Sequence, residues 1–241
     1  MAVHGLHREY RTLRKIGLIG GMSWFSTRTY YEDINQLVQA RTSTLSSAPL
    51  LIESLDFNGL AGLTTAEEWA HAAQVLADSA RRLEQAGATA LVIGANSMHK
   101  VYDKVAEAVG IPVIHIADAV ATRMKTNGVT TATLLGTRYV VMESFYRKRL
   151  VAHGITLLPP QMDEIEETDR IIYDELMQGK ATRAAERTFK TMLTNMGQRG
   201  AQAAVLACTE LDMVIDVDAN VLPIYDGTRI HAEAAVDWIM G

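Results

Sequence analysis

One cysteine, Cys208, in 241 residues is the chain's sharpest shortage. It excludes an intrachain disulfide and a thiolate zinc cage, and it fits a reducing compartment. Proline is scarce as well, five in all. Only Pro159 and Pro160 are adjacent, and they read as a strand exit. No tether rich in Pro, Gly or Ser divides the chain. Positive charge is not in surplus: 23 Lys and Arg face 28 Asp and Glu, a formal net charge of -5. That gives no basic field for nucleic acid. No apolar run reaches the roughly 18 residues that suggest a bilayer span. The segment MAVHGLHREYRTLR at 1–14 is basic and lacks the apolar core of a secretory signal. A loose N-terminal arm and a cytoplasmic location are therefore expected. The remainder, 48% hydrophobic and 21% charged overall, has an ordinary globular composition and is not disordered or of low complexity.

What is present is an alternation. Short apolar runs read as strands at 15–20, 49–55, 90–93, 113–116, 133–135, 155–158, 203–206 and 222–225. Helical stretches fall at about 26–41, 65–85, 101–109, 117–127, 141–153, 163–178, 181–199 and 228–240. This rhythm predicts an α/β fold with parallel sheets covered on both faces. The chain also repeats itself. GATALVIGANS at 87–97 aligns with GAQAAVLACTE at 200–210, 113 positions on, and sets Ala95 on Cys208. LIGG at 18–21 matches LLGT at 134–137, and Ile111-Pro112-Val113 matches Leu222-Pro223-Ile224, at offsets of 116 and 111. Two similar doubly wound halves follow. Ligand-facing loops lie at the carboxyl ends of such strands, so facing halves would oppose Ala95 and Cys208 across one cleft.

Those turns hold the candidate chemistry. Cys208 precedes a helical stretch whose N-terminus can favour a thiolate; a buried structural cysteine is the plainer reading. Asn96, Ser97, Thr137 and Thr209 can cradle a carboxylate with nearby backbone N–H groups, or cap helices. The Gly20-Gly21-Met22-Ser23 turn lacks the third glycine of a dinucleotide fingerprint and the lysine of a P-loop. His99 and His231 are possible acid/base groups, although a structural histidine is the plainer reading of each, and no HExxH or other tight metal spacing occurs. The acids Asp163, Glu164, Glu166, Glu167 and Asp169 read as a solvated first helical turn.

Five segments carry a family resemblance: KIGLIGGMSWFST at 15–27, ANSMHK at 95–100, LLGTRY at 134–139, ACTELDMV at 207–214 and DGTRIHAEAAV at 226–236. Together they resemble the aspartate/glutamate racemase family, in particular its broad-specificity amino-acid branch. The resemblance implies two pseudo-symmetric lobes, 15–117 with 227–241 and 118–226, with an active site between them. It implies an amino acid or dicarboxylate as substrate, no cofactor, no metal and, by analogy, a homodimer. Family members usually carry a cysteine at each strand-end turn, one for each face of Cα, with threonine at the first turn in some broad-specificity relatives. Cys208 matches the second. Met22, Ser23, Asn96, Ser97, Thr137 and Thr209 match residues that line the site. Glu210 follows in the same motif as an accessory group. A basic residue for a distal carboxylate has no secure counterpart, although Arg170 lies in the corresponding helix.

Ala95 stands where the first cysteine is expected, and alanine cannot carry a proton. Three readings stay open: a racemase with another second relay, such as Ser97, His99 or an ordered water; a one-base enzyme, as in the related arylmalonate decarboxylase; or an introduced substitution that traps substrate. The leading reading is a racemase with Cys208 as its acid/base. The alternatives are a single-cysteine lyase and a catalytically silent carboxylate-binding protein.

Overall fold

The computed structural model describes residues 12–241. Among these, eight short strands pair in parallel into two sheets. The first contains β1 (Ile16–Gly20), β2 (Leu50–Ser54), β3 (Ala90–Ile93) and β4 (Val113–Ile114). The second contains β5 (Thr131–Leu135), β6 (Thr156–Leu157), β7 (Ala203–Leu206) and β8 (Ile224–Asp226). Their orders, β2-β1-β3-β4 and β6-β5-β7-β8, are the same pattern twice. The sequence repeat therefore becomes a repeat of topology, with β3 answering to β7. Strands β1, β3 and β7 are buried along their whole length, as strands covered on both faces must be.

Helices supply the cover. They are α1 (Trp24–Arg41), α2 (Ala66–Gln85), α3 (Tyr102–Glu107), α4 (Ile116–Thr126), α5 (Arg138–Met142), α6 (Ser144–Ala152), α7 (Met162–Asp174), α8 (Arg183–Gln198) and α9 (Gly227–Met240). On the first sheet, α2 and α3 pack one face through Leu76, Ala80 and Val105. The other face meets Tyr30, Ile34 and Val38 of α1 together with Ala232, Ala235, Val236 and Ile239 of α9. On the second sheet, α7 and α8 cover one face with Ile171, Ile172, Phe189 and Leu193. The opposite face takes Val120 and Met124 of α4 and Tyr146 and Leu150 of α6. Fully burying each such large side chain contributes roughly 1.5–3 kcal/mol. Local signals set the helix starts. Thr65 and Glu68 form a reciprocal capping box on α2. Asp226 caps α9 by accepting from the N–H groups of Thr228 and Arg229.

Four details differ from the sequence expectation. The helix expected over 141–153 is two helices: Glu143 is extended, at φ -74° and ψ 152°, and its carboxylate meets Lys100 at 3.2 Å. The helix expected over 101–109 begins as a 3-10 turn, Ser97–Val101, before α3. The stretch expected over 163–178 stops at Asp174 and continues as a 3-10 turn, Leu176–Gln178, ended by Gly179 at φ +74°. The helical stretch expected after Cys208 is a five-residue 3-10 turn, Thr209–Met213. Of the expected N-terminal arm, residues 1–11 lie outside the described residues. Its end is tied down: Arg14 N–H donates to Ile239 O at 2.9 Å, and its guanidinium lies over the Trp238 ring at 4.3 Å.

Candidate active site

The carboxyl ends of both sheets open onto one cavity of about 600 Å³, lined by residues of both lobes. Its entry turn requires glycine at position 21. Gly21 has φ +86°, and a Cβ there would stand 2.1 Å from the Leu55 carbonyl oxygen. The Gly21 N–H is held instead by Thr27 Oγ1 at 2.7 Å. This tight turn delivers Met22 and Ser23 to the cavity wall.

Ala95 and Cys208, each two residues beyond a strand end, both line the cavity. So do Asn96, Ser97, Thr137, Thr209 and Glu210. The Cys208 thiol donates to Glu210 Oε2 at 3.0 Å, and the Thr209 hydroxyl donates to the same oxygen at 2.8 Å. Burial first, and the Glu210 carboxylate second, hold the thiol pKa well above its ordinary value. The expected thiolate at a helix N-terminus is thus corrected to a protonated thiol at a short 3-10 turn. Thr209 spends its hydrogen on Glu210. Thr137 Oγ1 accepts weakly from Val140 N–H at 3.5 Å, so its hydroxyl hydrogen remains available. Ser23 Oγ, Asn96 Oδ1 and Tyr139 OH are buried without a hydrogen-bond partner, and all three residues line the cavity. These three atoms are turned into the wall and closed to water, so each is an unmet hydrogen-bonding group of the wall itself.

The two histidines do not reach the cavity. His99 is buried beside the cavity wall. Its Nδ1 must carry hydrogen, because it meets the Ala95 carbonyl oxygen at 3.0 Å, and Nε2 then accepts from Ile116 N–H at 3.3 Å. His231 Nε2 donates to Ile114 O at 2.9 Å, and Nδ1 accepts from Tyr30 OH at 2.7 Å. Burial pushes their pKa values down to about 3 for His99 and about 4 for His231. Both rings are neutral braces of the fold, in line with the plainer reading, and the acid/base alternative is set aside. Arg170 also stands apart. Its guanidinium is taken by Glu167 and Glu175 on the surface. Among the described residues, no group of three or more His, Cys, Asp or Glu is arranged to hold a metal.

The sequence profile of the Asp/Glu/hydantoin racemases matches residues 19–235, nearly the whole chain. The chain belongs to that family. Among solved structures, a candidate Asp/Glu racemase from Yersinia pestis is 39% identical, with a TM-score of 0.90 over 95% of this chain and 100% of that one. An aspartate racemase homologue from Pyrococcus horikoshii is 30% identical, with a TM-score of 0.86 over the same shares, 95% and 100%. The broad specificity amino-acid racemase RacX of Bacillus subtilis is 22% identical over 163 residues, 68% of this chain and 70% of RacX.

Within this racemase-family fold the cavity is chemically one-sided. Its titratable side chains are Tyr139, Tyr173, Cys208, Glu210 and Asp212, and all belong to the half built on the second sheet. The half built on the first sheet offers Met22, Ala95, the uncharged polar residues Ser23, Ser26, Thr29, Asn96 and Ser97, and apolar groups. Sequence reasoning missed the aromatic wall. Trp69 of α2 stacks on Tyr139 of α5, with centroids 5.1 Å apart and planes at 10°. Lys100 Nζ sits over both rings, at 4.5 and 4.9 Å. Nothing local marks these residues; only the packing of one half on the other joins them. No helix among the described residues is long and apolar enough to cross a membrane.

Proposed function

We propose that this chain is an amino-acid racemase that moves the Cα proton through Cys208, on one face of the substrate, without a cofactor. The observation that supports this is the one-sided set of titratable groups, with Ala95 among the lining residues contributed by the other half. At rest Cys208 is a thiol bonded to Glu210. A zwitterionic amino acid brings an ammonium group to a cavity that holds the Glu210 and Asp212 carboxylates. That positive charge favours the thiolate, and the thiol proton passes to Glu210. The thiolate then takes the Cα proton. Charge moves onto the substrate carboxylate, where Ser97, Thr137, the Asn96 amide and the backbone N–H groups of the two 3-10 turns stabilise it.

On the other face Ala95 has no proton to give, and water admitted to the cavity supplies the second proton. Water is a poorer acid than a second thiol, so exchange with retention outruns inversion. A decarboxylase acting on a malonate-type acid is disfavoured. It would place two substrate carboxylates beside Glu210 and Asp212, and no lining residue among those described is a Lys or Arg.

Solvent deuterium entry at Cα, followed by NMR and chiral chromatography, tests this. Exchange exceeding inversion by on the order of tenfold or more is expected, and Cys208→Ala should abolish both. Ala95→Cys should raise inversion towards the exchange rate. Undiminished exchange in Cys208→Ala refutes the assignment. Stabilisation by amino acids with no exchange at all points to a silent binding protein.

A further inference from the structure

We infer that the substrate side chain is large, apolar and uncharged, of the leucine, methionine or phenylalanine kind, and that aspartate and glutamate are excluded. This rests on the proposal that the cavity turns over an amino acid. The family takes its name from dicarboxylates, and a second carboxylate needs a partner in a dry site. Among the described residues lining the cavity there is no Lys or Arg, whereas Glu210 and Asp212 both line it. Lys100 is engaged by Glu143 and by the faces of Trp69 and Tyr139, and it is not a lining residue. A dicarboxylate would therefore add a third acid to two.

The apolar wall shows what fits instead. Phe57, Leu60 and Trp69 come from one half, and Leu176, Met177 and Met213 from the other. About 600 Å³ is far more than the α-amino and α-carboxylate groups occupy, and apolar lining with few convergent polar groups is the mark of a site that buries apolar surface. The mouth continues the pattern. Trp24 and Phe25 stack with centroids 3.8 Å apart and are 57% and 48% exposed, though both are large and apolar. Exposed apolar surface gathered at an opening marks a binding surface. The Trp69–Tyr139 stack spans the two halves, so this wall is built by their closure and presents a fixed face to the incoming side chain.

Calorimetric binding and deuterium exchange are measured separately for L-leucine, L-phenylalanine, L-aspartate and L-glutamate. Leucine or phenylalanine should bind and exchange on the order of 100-fold better than either dicarboxylate. Ala61→Arg places a cation on an exposed residue of the lining and should narrow that gap at least about tenfold by improving aspartate. Aspartate exchange equal to or faster than leucine exchange overturns this inference and leaves the role of Cys208 standing. Binding of leucine without exchange overturns the role of Cys208 and leaves the specificity standing. No binding of either apolar amino acid, or an Ala61→Arg variant with an unchanged preference, overturns the inference.

Discussion

Acid should destabilise this protein through three histidines that stay neutral in the folded state well below pH 6.5. His99 and His115 have ring centroids 4.6 Å apart, and His99 and His231 lie 5.6 Å apart. Burial depresses the pKa of His99 to about 3 and of His231 to about 4, against an ordinary value of 6.5. His115 is lowered as well, by burial and then by His99. A histidine with a depressed folded pKa costs nothing above pH 6.5, where both states are neutral. As pH falls below about 6.5 the unfolded chain takes up protons and the folded chain does not, so stability is lost until the folded rings protonate. At about pH 5 each unfolded ring gains roughly 2 kcal/mol, and three rings gain about 6 kcal/mol. That is a large part of the 5–15 kcal/mol that typically separates folded from unfolded. Asp33, Asp212 and Asp226 work the other way, because burial raises their pKa values and protonation favours the fold. The contribution of one ring is therefore best isolated by difference. Urea unfolding of wild type and His231→Gln, at about pH 8 and about pH 5, is the assay. The variant is expected to be weaker at pH 8, having lost a fitted hydrogen-bond pair, yet to lose about 2 kcal/mol less on acidification. Equal acid losses in the two proteins would refute the reasoning. The same rings cannot account for an activity pKa near neutrality.

Glu210→Gln removes both the carboxylate that raises the Cys208 pKa and the acceptor of its proton. The alkylation rate of the chain's single cysteine should titrate at lower pH, while Cα exchange falls on the order of a hundredfold. Gly21→Ala should destabilise by at least about 2 kcal/mol, because φ is +86° and the Leu55 carbonyl blocks the new Cβ; thermal unfolding checks this. Tyr146→Phe removes a buried hydroxyl that has no partner. It should raise stability by about 1 kcal/mol, and a lowered urea midpoint would contradict that.

Much of the frame was legible because it is local. Ala90–Ile93 and Ala203–Leu206 were placed to the residue, since continuous burial writes itself as a continuous apolar run. The repeat aligns Ala95 with Cys208, and both line one cavity. What failed depends on contacts between distant segments. Glu143 breaks a helix that the sequence continues, and its partner Lys100 is 43 residues away. The histidines offered by type as acids and bases are disqualified by burial, which no single residue announces. The thiol was expected to ionise more readily. Its protonation follows from desolvation and from the way Glu210 folds back towards it.

Helix α9 carries a consequence for biosynthesis. It packs against the first sheet alongside α1, yet it is translated after every strand of the second. Domains commonly fold in order as they leave the ribosome, N-terminal first. Here the first half must wait with Leu18, Ile34, Ala90 and Val92 lacking Ala235, Val236 and Ile239 opposite them. The second half, whose strands and main covering helices are contiguous from α4 to β8, is the one able to close first. A chain stalled or truncated before residue 227 would present a second half lacking only the α9 contact around Ile230, joined to a first half with one face of its sheet unsealed. That species would be prone to aggregation and a natural client for chaperones.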